Sequence, residues 1–119
     1  MKGEAWVEVV GDIIVARMRG EPNEQLLREC QEQVLFLVQD AGRGKVLYDA
    51  LEMETPPLAV PWAQRELDAS LGPVRLRRAI VVPNSKLALL ARVAFGEGDY
   101  QVFYNDFLAA VRWLAQDPA

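Results

Sequence analysis

The chain has 119 residues, 51% hydrophobic and 25% charged, a balance that gives one folded domain over residues 1–119 with no room for a second. A net charge of −4 works against nucleic acid as a partner, because that binding is driven by neutralising phosphates. With one cysteine and no histidine, disulfide scaffolds, multi-thiolate zinc centres and Ser-His-Asp or Cys-His catalysis are excluded within a single chain.

The start, Met-Lys-Gly-Glu-Ala-Trp, lacks a continuous apolar segment, and no stretch is long enough to cross a bilayer, so a cytoplasmic protein without a membrane span is expected. Trp6 to Val10 and Ile13 to Arg19 are rich in β-formers and are separated by Gly11-Asp12, which predicts an opening hairpin. Gly20, Pro22 and Asn23 end the second strand, and Asn23 is placed to cap a helix reaching about Ala41. Its apolar positions, Leu26, Leu27, Cys30, Val34, Leu37, Val38 and Ala41, fall in one stripe. Cys30 lies within the stripe and reads as a small core residue rather than a reactive thiol, since no base or cation is fixed beside it. Leu35 and Phe36 fall outside it, and two adjacent outward apolar residues mark a candidate surface for self-association.

Gly42-Arg43-Gly44 breaks the helix, and Lys45 to Leu51 reads as a third strand with Asp49 near its carboxyl end. From Glu52 to Trp62 three prolines forbid a continuous helix or central strand. A short helix from about Trp62 to Leu71 follows, closed by Gly72-Pro73, with Ala63, Leu67 and Leu71 on its inner side. Arg75, Arg77 and Arg78 read as a solvated strand end, with an anion-binding patch as the alternative. Ile80, Val81 and Val82 run together as in a strand covered on both faces; Pro83 stops it, and Asn84 or Ser85 caps a helix that closes at Gly96. Tyr100 to Tyr104 is a last strand, and Asp106 caps a final helix whose inward face is Phe107, Ala110, Val111 and Leu114. After the hairpin, strand and helix alternate, so an α/β fold of about five strands and four helices is expected, its parallel strands joined by right-handed crossovers.

The stretch Arg78-Ala79-Ile80-Val81-Val82, the Lys86-Leu87 helix after it, and the ending Tyr104-Asn105-Asp106-Phe107-Leu108-Ala109-Ala110-Val111-Arg112-Trp113-Leu114 resemble the SpoIIAA-like group of STAS-type domains. Tyr104, Asp106, Ala110, Trp113 and Leu114 occupy that group's aromatic-x-Asp-x-x-x-Ala-x-x-Trp-Leu positions, and Val46 to Asp49 is similar to its central strand ending in Asp. The resemblance implies a SpoIIAA-like fold of successive βα units. It also implies one of two roles: an anti-sigma-factor antagonist switched by phosphorylation of a serine in an Asp-Ser-x-Gly motif, or a lipid carrier with an apolar cavity beneath a mobile helix. Where the phosphorylated serine belongs, this chain reads Glu54-Thr55-Pro56-Pro57-Leu58, with no Asp-Ser pair and no glycine. Thr55 is the one hydroxyl there, and it reads as a turn residue before a phosphate acceptor.

In open α/β sheets ligands sit beyond the carboxyl ends of the strands. That rim is expected to gather Asp49, Glu52, Glu54 and Thr55 from one loop and Asn84, Ser85 and Lys86 from another. Asn84 to Lys86 are read as a cap before an anion site, and the three carboxylates lack the spacing of a calcium loop. No nucleophile, cofactor motif or metal set is legible, so no catalytic residue, metal or cofactor is expected and the chain reads as non-enzymatic. Two binding functions remain. One is a protein-interaction module of regulatory type, self-associating as a homodimer through Leu35, Phe36 or the loop around Trp62. The other is a carrier or sensor of a small apolar ligand held between the loop with Met53, Leu58 and Trp62 and the helix whose Leu89 and Val93 lie off its main buried face.

Overall fold

The structure is a computed structural model that describes residues 3–41, 44–56, 59–62, 65, 76–95 and 99–116. Its elements in order are β1 (Glu4–Val10), β2 (Ile13–Gly20), α1 (Glu24–Ala41), β3 (Lys45–Met53), α2, of which residues 59–62 and 65 are described, β4 (Arg77–Val82), α3 (Ser85–Phe95), β5 (Tyr100–Tyr104) and α4 (Phe107–Ala115). The strands form one sheet in the order β1-β2-β3-β4-β5. β1 and β2 are antiparallel, and β2 through β5 are parallel neighbours. The α/β class, the opening hairpin and the strand and helix count are those expected.

Local chemistry accounts for the boundaries. The hairpin turns over two residues, with Gly11 at φ 62°, a conformation that costs glycine little. Asn23 caps α1 by accepting from the Leu26 amide at 2.8 Å, Asn84 caps α3 from Leu87 at 2.9 Å, and Asp106 caps α4 from Ala109 at 2.9 Å. Strand alternation divides the core into two layers. Ile14, Ala16, Val46, Tyr48, Ile80 and Val82 face α1 and α3, whereas Ile13, Val15, Leu47, Ala79 and Val81 face α4. Both faces of β2, β3 and β4 are thus buried, which is why these strands read as near-continuous apolar runs.

Two expectations change. β3 continues past Leu51 to Met53, so Asp49 lies in mid-strand and not at the rim. The arginine cluster is neither a solvated end nor an anion patch in its described part. The Arg77 guanidinium donates to Asp99 at 3.1 Å and to the Trp113 carbonyl at 3.2 Å, and lies 3.6 Å from the centre of the Trp113 ring. Arg78 is buried over Phe95, 4.6 Å from its ring centre. Apolar stems with planar cationic heads let both residues belong to the core. Arg75 and most of the expected helix from Trp62 to Leu71 lie outside the described residues.

Candidate functional site

Between α1 and α3, toward the carboxyl ends of the parallel strands, the packing leaves a cavity of about 70 Å³. Its floor is sheet: Met18 from β2, Tyr48 and Ala50 from β3, Ile80 and Val82 from β4. Leu27, Cys30 and Gln31 of α1 form one wall, and Leu87, Leu90, Ala91, Ala94 and Phe95 of α3 the other. Met53 at the end of β3 and Pro56, Val60 and Pro61 of the proline-bearing arm after it border the remaining side. No described lining residue carries a charge.

A β-bulge builds part of this roof. Arg17 pairs with Asp49 and Arg19 with Glu52, so β3 carries one more residue than β2 over the same interval. One extra residue reverses the alternation beyond it. Leu51 still packs toward α4, but Glu52 turns to meet Arg19 at 3.2 Å and Met53 turns into the cavity.

The few polar atoms of the wall are constrained. The Tyr48 hydroxyl donates to Gln31 Oε1 at 3.3 Å, and the Tyr48 ring packs on Phe95 with centroids 5.3 Å apart. Gln31 is only 4% exposed, and its Nε2 has no hydrogen-bond partner among the described residues. Burial pushes the Cys30 thiol up to about 11, so it is protonated and unreactive at neutral pH.

Of the residues singled out from sequence, the structure brings Met53 into this cavity. Thr55 and Ser85 are exposed, and Asn84 serves as the α3 cap. Trp62 is 49% exposed and stacks with Arg65 at 5.4 Å, leaving Val60 and Pro61 to face inward. Leu89 is 61% exposed and Val93 half-buried, and neither lines the cavity, because the main face of α3 does so. Asp49 lies on the opposite, α4 side of the sheet, 3.5 Å from Arg17 and accepting from the Leu51 amide. Leu58 lies outside the described residues. Leu35 is half-buried and Phe36 exposed beside Val7 of β1, adjacent helical residues pointing about 100° apart. Asp49, Glu52 and Glu54 gather no cation site, and no group of three potential metal ligands stands together among the described residues. Missed from sequence was Gln31, whose position four after Leu27 and three before Val34 puts an amide in an otherwise apolar stripe.

No family model matches the chain, and no curated protein matches it. Solved structures do. An uncharacterised protein of the DUF3478 family from Shewanella loihica PV-4, described as having a SpoIIAA-like fold, aligns at a TM-score of 0.64 with 21% identity over 95% of this chain and 94% of that one. The chain has a SpoIIAA-like fold. The unphosphorylated form of the anti-sigma factor antagonist SpoIIAA aligns at a TM-score of 0.67 with 10% identity, covering 95% of this chain and all of its own. An anti-sigma factor antagonist from Mycobacterium paratuberculosis gives a TM-score of 0.67 with 13% identity over 97% and 96% of the two chains. Identities this low establish the SpoIIAA-like architecture and carry no residue roles. Among the described residues no helix is long and apolar enough to cross a membrane.

Proposed function

We propose that this SpoIIAA-like domain acts by binding and not by catalysis, and that it holds a small apolar molecule in the cavity between α1 and α3. The observation that carries this reading is a half-open apolar cavity toward the carboxyl ends of the parallel strands, where α/β sheets receive ligands, with no charge on any described lining residue. Its reactive groups do not suit chemistry: the thiol is held protonated and the phenol is bonded to an amide. At about 70 Å³ the space is smaller than the ~150 Å³ apolar cavity known to admit benzene, so a longer ligand sits partly outside it or spreads its walls. The test is native mass spectrometry of the chain purified from cells, beside Ala91→Phe, which fills the space from the α3 wall. A co-purified apolar molecule that Ala91→Phe lacks supports the reading. An empty protein whose methyl signals also ignore added apolar probes contradicts it.

A second reading is a regulatory protein-interaction module that self-associates or docks on a protein partner. Phe36, Trp62, Leu89 and Leu108 are large apolar side chains exposed on the four helices, and two of the structural neighbours are described as anti-sigma factor antagonists. It predicts a homodimer or a captured partner that weakens on Trp62→Ala or Phe36→Ser. A monomer at every concentration by sedimentation, with no partner captured, argues against it.

A further inference from the structure

Gln31 is the anomaly of the cavity wall. It occupies a core position of α1, is 4% exposed, and lies among aliphatic, aromatic and sulfur-bearing neighbours. Tyr48 donates its hydroxyl proton to Oε1 at 3.3 Å, which sets the amide so that Nε2 is the end left over. That nitrogen has no acceptor among the described residues. A buried donor without a partner is costly, and folded proteins keep few of them. A water molecule bound there gains little from a wall this apolar, because buried waters are held by two to four polar partners.

We propose that the ligand of the cavity is a neutral, largely apolar molecule carrying one hydrogen-bond acceptor, a carbonyl or ether oxygen, which Gln31 Nε2 holds. This rests on reading the cavity as a ligand site. The wall sets the chemical class in three ways. Its hydrocarbon surface takes an apolar body. Its described residues offer no cation to a carboxylate or phosphate, so an anionic head stays outside. The amide Nε2 offers a donor, so an acceptor is preferred over a hydroxyl that needs to donate.

The experiment uses the full chain and two probes of like size, cyclopentanone and cyclopentene, titrated by NMR into wild type and Gln31→Met, a substitution that keeps length while removing the amide. Each probe is compared with itself across the two proteins, which cancels its own hydration. The expected result is a three- to tenfold weaker affinity for cyclopentanone in Gln31→Met, about what one neutral hydrogen bond contributes, and an unchanged affinity for cyclopentene. Should Gln31→Met fold poorly by its amide spectrum, Tyr48→Phe serves instead: it leaves the amide in place but unanchored, and a loss confined to the ketone is again expected. An equal effect on the two probes, or wild type binding cyclopentene but not cyclopentanone, overturns the role of Gln31 and leaves the cavity reading standing. If wild type binds neither, the cavity reading itself has failed, and this proposal with it.

Discussion

Cys30 shows how burial alone fixes a residue's chemistry. Its thiol is pushed up to about 11 from an ordinary value near 9.0 by desolvation, with no charged neighbour needed to explain it. Because the folded state holds the proton more tightly than the unfolded chain does, the stabilisation is fully present below pH 9 and is lost as pH climbs toward 11. We expect the unfolding free energy to fall by at most about 2–3 kcal/mol across that window, and Cys30→Ala to flatten this part of the profile. Denaturant titrations at a series of alkaline pH values read this directly; a wild-type profile as flat as the variant's would show that the thiol is not desolvated. At Gln31 two effects oppose each other. Gln31→Met costs Tyr48 an acceptor but removes a buried donor without a partner, so its stability should stay within about 1 kcal/mol of wild type by urea unfolding. A loss of several kcal/mol would mean that Nε2 is satisfied in solution.

Among the elements, the start of β4 is tied to β5 and α4 by one side chain. Arg77 pairs with Asp99, donates to the Trp113 carbonyl and stacks on the Trp113 ring with a partly buried guanidinium. Arg77→Ala should therefore cost about 2 kcal/mol, and Arg77→Lys should recover only part of it, since an ammonium neither forks nor stacks in the same way. Asp99→Asn should cost less than about 1 kcal/mol, because that carboxylate is half exposed. Thermal melts of the three variants check the ranking; equal losses would deny the stacked arginine its place. Asn84→Ala is expected to cost about 1 kcal/mol and to loosen the turn of α3 that carries Leu87 into the cavity wall. These caps were legible in sequence because Asn and Asp compete for backbone amides over a fixed short distance. The bulge in β3 was not legible. It arises from how β3 pairs with β2, a long-range relation, and so the inward turn of Met53 could be guessed but the separation of Asp49 from it could not.

At the scale of the molecule, the sheet sorts its side chains into two unlike layers. Among the described residues α4 covers one face over Leu47, Ala79 and Val81, whereas the opposite face carries α1 and α3 with space left between them. Much of the layering followed from sequence: continuous apolar runs marked strands buried on both sides, and the single apolar stripes of α1 and α4 fixed which way those helices faced. The cavity did not, since its wall collects residues from strands, helices and arm that are close only after folding. Leu89 and Val93 illustrate the limit. Apolar residues all round α3 suggested a second buried side, but Leu89 faces solvent and the cavity lies against the helix's main face. The claim on which the account rests is that the α1–α3 side of the sheet admits an apolar guest. It is tested most directly by NMR of the chain with methyl-labelled methionine, leucine and valine under xenon. The account predicts concentration-dependent shifts at Met18, Met53 and Leu87, with Val15 and Leu114 across the sheet unmoved. Methyl signals of Met18, Met53 and Leu87 that stay fixed, or shifts confined to the α4 side, would contradict it.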